Sequence, residues 1–136
     1  MNEKLGFVVS DYNADLTHLM SKIAQEHAKF LGAEVKEVLV VPGAFDIPLA
    51  TKKLIDKQEI DGVVTLGAVI EGDTDHDTIV AQNTARKIVD ISVASGKPVS
   101  LGVSGPKMTR ADGVRRVEGY AKRSTETVVK MIRKLN

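Results

Sequence analysis

The sequence predicts an α/β fold, a four-stranded parallel sheet with helices on both faces in a three-layer sandwich, and three observations carry that prediction. Four short apolar runs alternate with four longer amphipathic stretches. The connections between them are short, as right-handed β-α crossovers in a parallel sheet require. The third apolar run, Val63, Val64, Leu66, Ala68, Val69 and Ile70, is nearly continuous, which is how a strand covered on both faces reads. The 136 residues are 43% hydrophobic, enough for one core, so residues 1–136 are expected to form a single domain.

Leu5 to Val9 predicts the first strand. Ala14 to Leu31 predicts the first helix, with Leu16, Leu19, Met20, Ile23, His27, Phe30 and Leu31 on one face, and Gly32 stops it. Val35 to Val41 reads as the second strand, ended by Pro42-Gly43. A helix over Phe45 to Lys57 follows, carrying Ile47, Leu49, Ala50, Leu54 and Ile55, with Pro48 in the first turn where its missing N–H costs little. The third strand spans Val63 to Ile70, and a helix runs from Asp75 to about Ala94 before Gly96. Val99 to Val103 forms the fourth strand. Thr109 to Leu135 is helical, with Gly113 and Gly119 as candidate breaks. There is no internal repeat, linker or low-complexity stretch.

Nineteen basic and eighteen acidic residues give a net charge of +1, so no global field points to nucleic acid or a membrane. The charge is uneven: residues 101–136 carry nine Lys or Arg against three Asp or Glu. That basic stretch reads either as a solvated helix face or as a source of anion contacts. The absence of Cys rules out disulfides, thiolate metal sites and thiol nucleophiles. No charged leader precedes an apolar stretch, and no apolar run reaches about 18 residues, so a cytoplasmic location is the expectation.

In a parallel sheet of this kind ligands sit outside the carboxyl ends of the strands. The post-strand segments are Ser10-Asp11-Tyr12-Asn13, Pro42-Gly43-Ala44-Phe45-Asp46, Glu71 to His76, and Ser104-Gly105-Pro106. The third is the most informative. Thr74 is placed as the helix N-cap, with Asp77 completing a capping-box-like pattern, and a helix N-terminus offers free N–H groups and a positive dipole to a phosphate. His76 then lies beside that phosphate. Tyr12 and Phe45 set aromatic rings at the sheet rim, where a flat heteroaromatic ligand can stack, although a lone rim aromatic more often packs an interface.

Competing motifs fail. Asp73, Asp75 and Asp77 imitate a calcium loop, but Thr78 replaces its glycine and Thr84 its closing glutamate. His18, His27 and His76 lack metal-ligand spacing, and His27 reads as a satisfied core-edge residue. With no G-x-S-x-G elbow, Walker motif or dinucleotide loop, hydrolase, kinase and dehydrogenase readings lose support.

The segments Pro42 to Ala50, Leu66 to Asp77 and Pro98 to Val103 together resemble the 6,7-dimethyl-8-ribityllumazine synthase family, in order and across nearly the whole chain. The resemblance implies a flavodoxin-like fold and a transferase of riboflavin biosynthesis that uses no cofactor and no obligatory metal. It implies cyclic homopentamers, in some members assembled as twelve pentamers into an icosahedral shell, active sites between neighbouring subunits, and association with riboflavin synthase. The implied reaction condenses 5-amino-6-(D-ribitylamino)uracil with 3,4-dihydroxy-2-butanone 4-phosphate, releasing phosphate and water.

Carried over by position, Tyr12 followed by Asn13 stands where the family stacks an aromatic ring on the pyrimidine. Gly43, Ala44, Phe45 and Asp46 resemble the segment holding the ribityl chain and ring, with Asp46 where Glu is common. Ala68, Val69 and Ile70 are implied to hold the ring edge, and Leu101 to close the pocket from the adjacent subunit. Gly72, Asp73 and Thr74 resemble the phosphate turn, while Glu71 stands where bacterial members frequently carry Arg. Arg116 matches the phosphate-binding Arg, with Arg115 adjacent, and His76 is the catalytic candidate. Histidine suits the role because its ordinary pKa of about 6.5 lets one side chain donate and accept protons near neutral pH. Two other readings stay open: archaeal-type riboflavin synthase, whose lumazine substrate carries no phosphate, and a non-catalytic flavin or lumazine carrier or receiver-like switch.

Overall fold

The computed structural model describes residues 2–72 and 74–136. In chain order these form β1 (Lys4–Ser10), α1 (Ala14–Phe30), β2 (Glu34–Val41), a 3₁₀ turn (Ala44–Asp46), α2 (Ile47–Ile55), β3 (Gly62–Ala68), α3 (His76–Ser95), β4 (Val99–Ser104) and α4 (Arg110–Leu135). The strands pair in parallel in the order β2-β1-β3-β4. This is the α/β three-layer fold the alternating pattern predicts.

Side-chain alternation divides the core between the two faces of the sheet. Leu5, Phe7, Val9, Val64 and Leu66 pack with Leu16, Met20, Val117, Ala121 and Val128, so α1 and α4 cover one face. Val8, Val63 and Val103 pack with Ile47, Leu54, Ile55, Ala81 and Ile88, so α2 and α3 cover the other. All seven residues of β3 are buried, as its nearly continuous apolar run predicts, and the one polar side chain, Thr65, donates to the Ser100 carbonyl at 2.6 Å.

Several details differ from expectation, each for a geometric reason. The buried residues of α1 are Leu16, Thr17, Met20, Ala24 and Ala28, a stripe whose alanines let the helix sit close to its neighbours. Leu19 and Phe30 fall off that stripe, and Phe30 is 82% exposed. Its ring stacks on His27 at 5.8 Å between centroids, and His27 Nε2 lies 2.7 Å from Glu126 Oε1. In α2 the buried set is Ile47, Thr51, Leu54 and Ile55, which turns Leu49 outward.

Helix α4 runs through both glycines without a break. Gly113 faces inward, where an added Cβ would meet Leu16 Cδ1 at 3.2 Å and Ile70 Cδ1 at 3.3 Å, so the glycine permits close approach. The propensity cost of about 1 kcal/mol is offset by the buried face of Val117, Ala121, Val128 and Ile132. Thr109 caps this helix, its hydroxyl accepting from the Asp112 N–H at 3.1 Å.

The far end of α4 is fastened to the segment before β1. Arg133 Nη2 donates to Glu3 Oε1 at 3.0 Å and to the Leu31 carbonyl at 2.8 Å. The Arg133 hydrogen bond holds the Glu3 carboxyl below its ordinary value. A depressed folded-state value stabilises the protein above the unfolded value, and that contribution is lost as pH falls through the folded one. Glu3→Gln is therefore expected to melt lower than the parent at neutral pH, with the gap closing below about pH 4.5. Thermal melts across that range check the sign: a gap that widens on acidification contradicts it.

Candidate active site

Helices α1 and α3 leave the adjacent strands β1 and β3 toward opposite faces of the sheet, which opens a crevice at the carboxyl ends of those strands. A cleft of about 690 Å³ lies there. Three post-strand segments wall it: Tyr12 and Asn13 after β1; Gly43, Ala44 and Phe45 after β2; and Ala68 through Gly72 with Thr74, His76, Asp77 and Val80 after β3.

The first wall is fixed by hydrogen bonds. The Asp11 N–H donates to the Val41 carbonyl at 2.7 Å and the Tyr12 N–H to the Pro42 carbonyl at 3.0 Å. Asn13 takes a left-handed conformation, φ 62°, and its Nδ2 donates to the Ala68 carbonyl at 2.9 Å. Asn tolerates this conformation better than most residues with a Cβ. Arg110 pairs with Asp15 and holds that carboxyl below its ordinary value, which ties the start of α4 to the start of α1.

Backbone contacts and sterics leave the aromatic rings free. Tyr12 is 72% exposed and Phe45 is 65% exposed, yet both line the cleft. Rings held by ordered backbone and left open to solvent are suited to stacking on a planar ligand. The 3₁₀ turn carrying Phe45 is anchored by Thr84 Oγ1, which donates to the Ala44 carbonyl at 3.2 Å.

The third wall is the strand-to-helix turn, and its capping differs from expectation. Asp75 is the N-cap and α3 begins at His76. Thr74 Oγ1 instead accepts from the His76 N–H at 3.3 Å. Asp77 completes no capping box; its buried carboxylate accepts from the Lys107 N–H at 2.8 Å. A buried carboxylate needs a donor, and the β4-α4 loop supplies one. His76 is exposed at the cleft edge, and among the described residues no atom beyond the chain neighbours of Gly72 comes within 4 Å of a Cβ placed there. Asp73 lies outside the described residues.

Of the residues the sequence singles out, Tyr12, Asn13, Gly43, Ala44, Phe45, Ala68, Val69, Ile70, Gly72, Thr74 and His76 share this one cleft. Asp46 does not line it; Oδ2 of its carboxylate accepts from the Gly43 N–H at 3.0 Å and so braces the turn. Leu101, 47% exposed on β4, and Arg116, exposed on α4, also lie off the cleft of their own chain. Arg115 pairs with Asp112 on its own helix. Sequence reasoning missed Val80 and the part played by Asp77. Val80 was detectable in principle, since it lies four residues after His76 on the same helical face.

The family described as 6,7-dimethyl-8-ribityllumazine synthase matches residues 2–136. A protein of Methanocaldococcus jannaschii bearing that name is 56% identical over 131 residues, covering 96% of this chain and 92% of its own. A namesake from Methanoculleus marisnigri is 56% identical over 135 residues, 99% of each chain. One from Methanosarcina barkeri is 56% identical over 135 residues, 99% of this chain and 100% of its own. With a family match over nearly its full length and relatives 56% identical, the chain belongs to the 6,7-dimethyl-8-ribityllumazine synthase family, transferases of riboflavin biosynthesis.

Proposed function

We propose that this protein condenses 5-amino-6-(D-ribitylamino)uracil with 3,4-dihydroxy-2-butanone 4-phosphate to give 6,7-dimethyl-8-ribityllumazine, phosphate and water. One observation carries the reading: a single cleft joins two exposed aromatic rings to a strand-to-helix turn with an exposed imidazole. Tyr12 stacks on the pyrimidine, and Gly43, Ala44 and Phe45 line the ribityl chain. The backbone of Ala68, Val69 and Ile70 holds the ring edge. The amides of Gly72 and Thr74 take the phosphate at the amino end of α3, where the dipole favours an anion.

The chemistry needs little beyond this. The aromatic amine attacks the ketone, and the carbinolamine loses water to an imine. Removal of the proton on the carbon next to the imine expels phosphate with its C–O bonding electrons, the resulting enol tautomerises to a new ketone, and the ribitylamino nitrogen closes on that carbonyl with loss of a second water. Each step moves a proton, and His76 supplies and removes protons at the phosphate end of the cleft. Both reactants bind without a cofactor or metal.

Among the described residues no arginine lines the own-chain cleft, and the turn itself carries Glu71, Asp75 and the buried Asp77. A dianion there requires a cation from elsewhere, which supports a site completed by a second copy that contributes Arg116 and closes the pocket with Leu101. We assign the assembly as a cyclic homopentamer in the cytoplasm, able to associate with riboflavin synthase. Size-exclusion chromatography with light scattering is expected to read five chains or a multiple of five; a monomer contradicts the shared site.

Arg116→Ala is expected to raise KM for the phosphorylated substrate by about 10- to 100-fold, the scale of a lost charge-assisted hydrogen bond, with kcat less affected. Arg115→Ala, measured in parallel, should change little, and the reverse ranking would move the clamp to Arg115. Incubating the pure protein with both substrates and following lumazine fluorescence tests the reaction itself. Product formation supports the synthase; riboflavin formed from lumazine alone, or binding without turnover, overturns it.

A further inference from the structure

The strand-to-helix turn is clasped at both ends by two consecutive residues of the β4-α4 loop. Upstream, the Glu71 N–H donates to the Met108 carbonyl at 2.8 Å. Downstream, the Lys107 N–H donates to Asp77 Oδ2, also at 2.8 Å. Between these clasps Gly72, Thr74, Asp75 and His76 are exposed, whereas Asp77 is only 7% exposed. Lys107 sits in the left-handed region, φ 58°, a conformation that residues with a Cβ avoid unless their surroundings hold them there. Its amide is thereby presented to the first turn of α3.

Resting on the phosphate reading of this turn, we propose that Asp77 is a positioning residue. By holding the Lys107 amide, its carboxylate sets the span of the turn, and with it where the Gly72 and Thr74 amides and the His76 imidazole meet a phosphoryl group. Its charge alone acts in the opposite sense, because a carboxylate lining the same cleft repels a phosphate dianion. Geometry and charge therefore give different rankings when the side chain is changed.

Asp77→Asn keeps an oxygen for the Lys107 amide and removes the charge; Asp77→Ala removes both. If the clasp matters, inorganic phosphate titrated calorimetrically into the full protein binds about tenfold more weakly to Asp77→Ala, the scale of one lost hydrogen bond to a charged group. It binds about twofold more tightly to Asp77→Asn, which has lost only the repulsion. KM for the phosphorylated substrate should follow the same order, with kcat of Asp77→Ala reduced less than its kcat/KM. Should the alanine variant fail to fold, Asp77→Glu keeps the charge and displaces the acceptor by one methylene, and weaker phosphate binding is again expected. Phosphate affinity in Asp77→Ala equal to or above the parent's overturns the proposal, as does an Asp77→Asn defect as large as the alanine one, or Asp77→Glu matching the parent. A parent that makes no lumazine but keeps the phosphate ranking overturns the proposed reaction instead and leaves the clasp standing.

Discussion

His76→Ala is expected to lower kcat for lumazine formation by about 100- to 10,000-fold, the range of general acid–base help, without abolishing turnover. The residual activity follows from magnitudes. Orienting two reactants can supply roughly 7 to 11 kcal/mol, whereas acid–base help of this size corresponds to roughly 3 to 5 kcal/mol. The rim aromatics and the backbone of Ala68 to Ile70 survive the substitution, so most of the orienting contribution remains. His76 is exposed on the first residue of α3, so the melting temperature should be unchanged and the loss cannot be assigned to unfolding. Steady-state kinetics with each substrate varied in turn checks it. Turnover equal to the parent's would refute the proton-transfer role.

Gly102→Ala is expected to damage the fold rather than the chemistry. A Cβ at this position would stand 2.3 Å from the Thr65 carbonyl oxygen and 2.8 Å from Ser124 Oγ. The carbonyl belongs to the neighbouring strand β3 and has no rotamer to move to, while Ser124 is buried and donates to the Tyr120 carbonyl at 2.7 Å. Either β4 must part from β3 or α4 must lift from the sheet. The cost is about 3 kcal/mol, the upper part of the overpacking range, and corresponds to a fall in melting temperature of about 10 °C in a domain of this size. Calorimetric melts test it; an unchanged melting temperature would contradict the close α4-β4 contact.

Much of this was legible beforehand. Short apolar runs, one of them nearly continuous, located all four strands, because a doubly covered sheet leaves few polar positions, and the four post-strand segments followed from the parallel topology. What escaped detection depends on where third partners lie. Phe30 follows the apolar count of α1 yet faces solvent, since the Ala24 and Ala28 positions carry the contact and Phe30 lies beyond them. Thr74 has the chemistry of an N-cap, but α3 starts one residue late and its hydroxyl serves the His76 amide. Asp77 reads locally as a capping partner, but its carboxylate takes the Lys107 amide, a loop contact thirty residues away, and the Asp46 carboxylate, which the resemblance sets toward the ribityl chain, accepts from the Gly43 amide. Such pairings are set by tertiary approach, which no local pattern records. Leu101 and Arg116 lie off the cleft of their own chain, and the proposed shared site would give them partners on a second copy.

The most direct test is an electron-density map of the protein crystallised with inorganic phosphate. The expected result is a phosphate in the mouth of the turn after β3, accepting from the Gly72 and Thr74 amides with the His76 imidazole in hydrogen-bonding reach and an arginine from a neighbouring copy closing over it. A phosphate bound elsewhere, with the imidazole of residue 76 turned out of the cleft, would contradict the account.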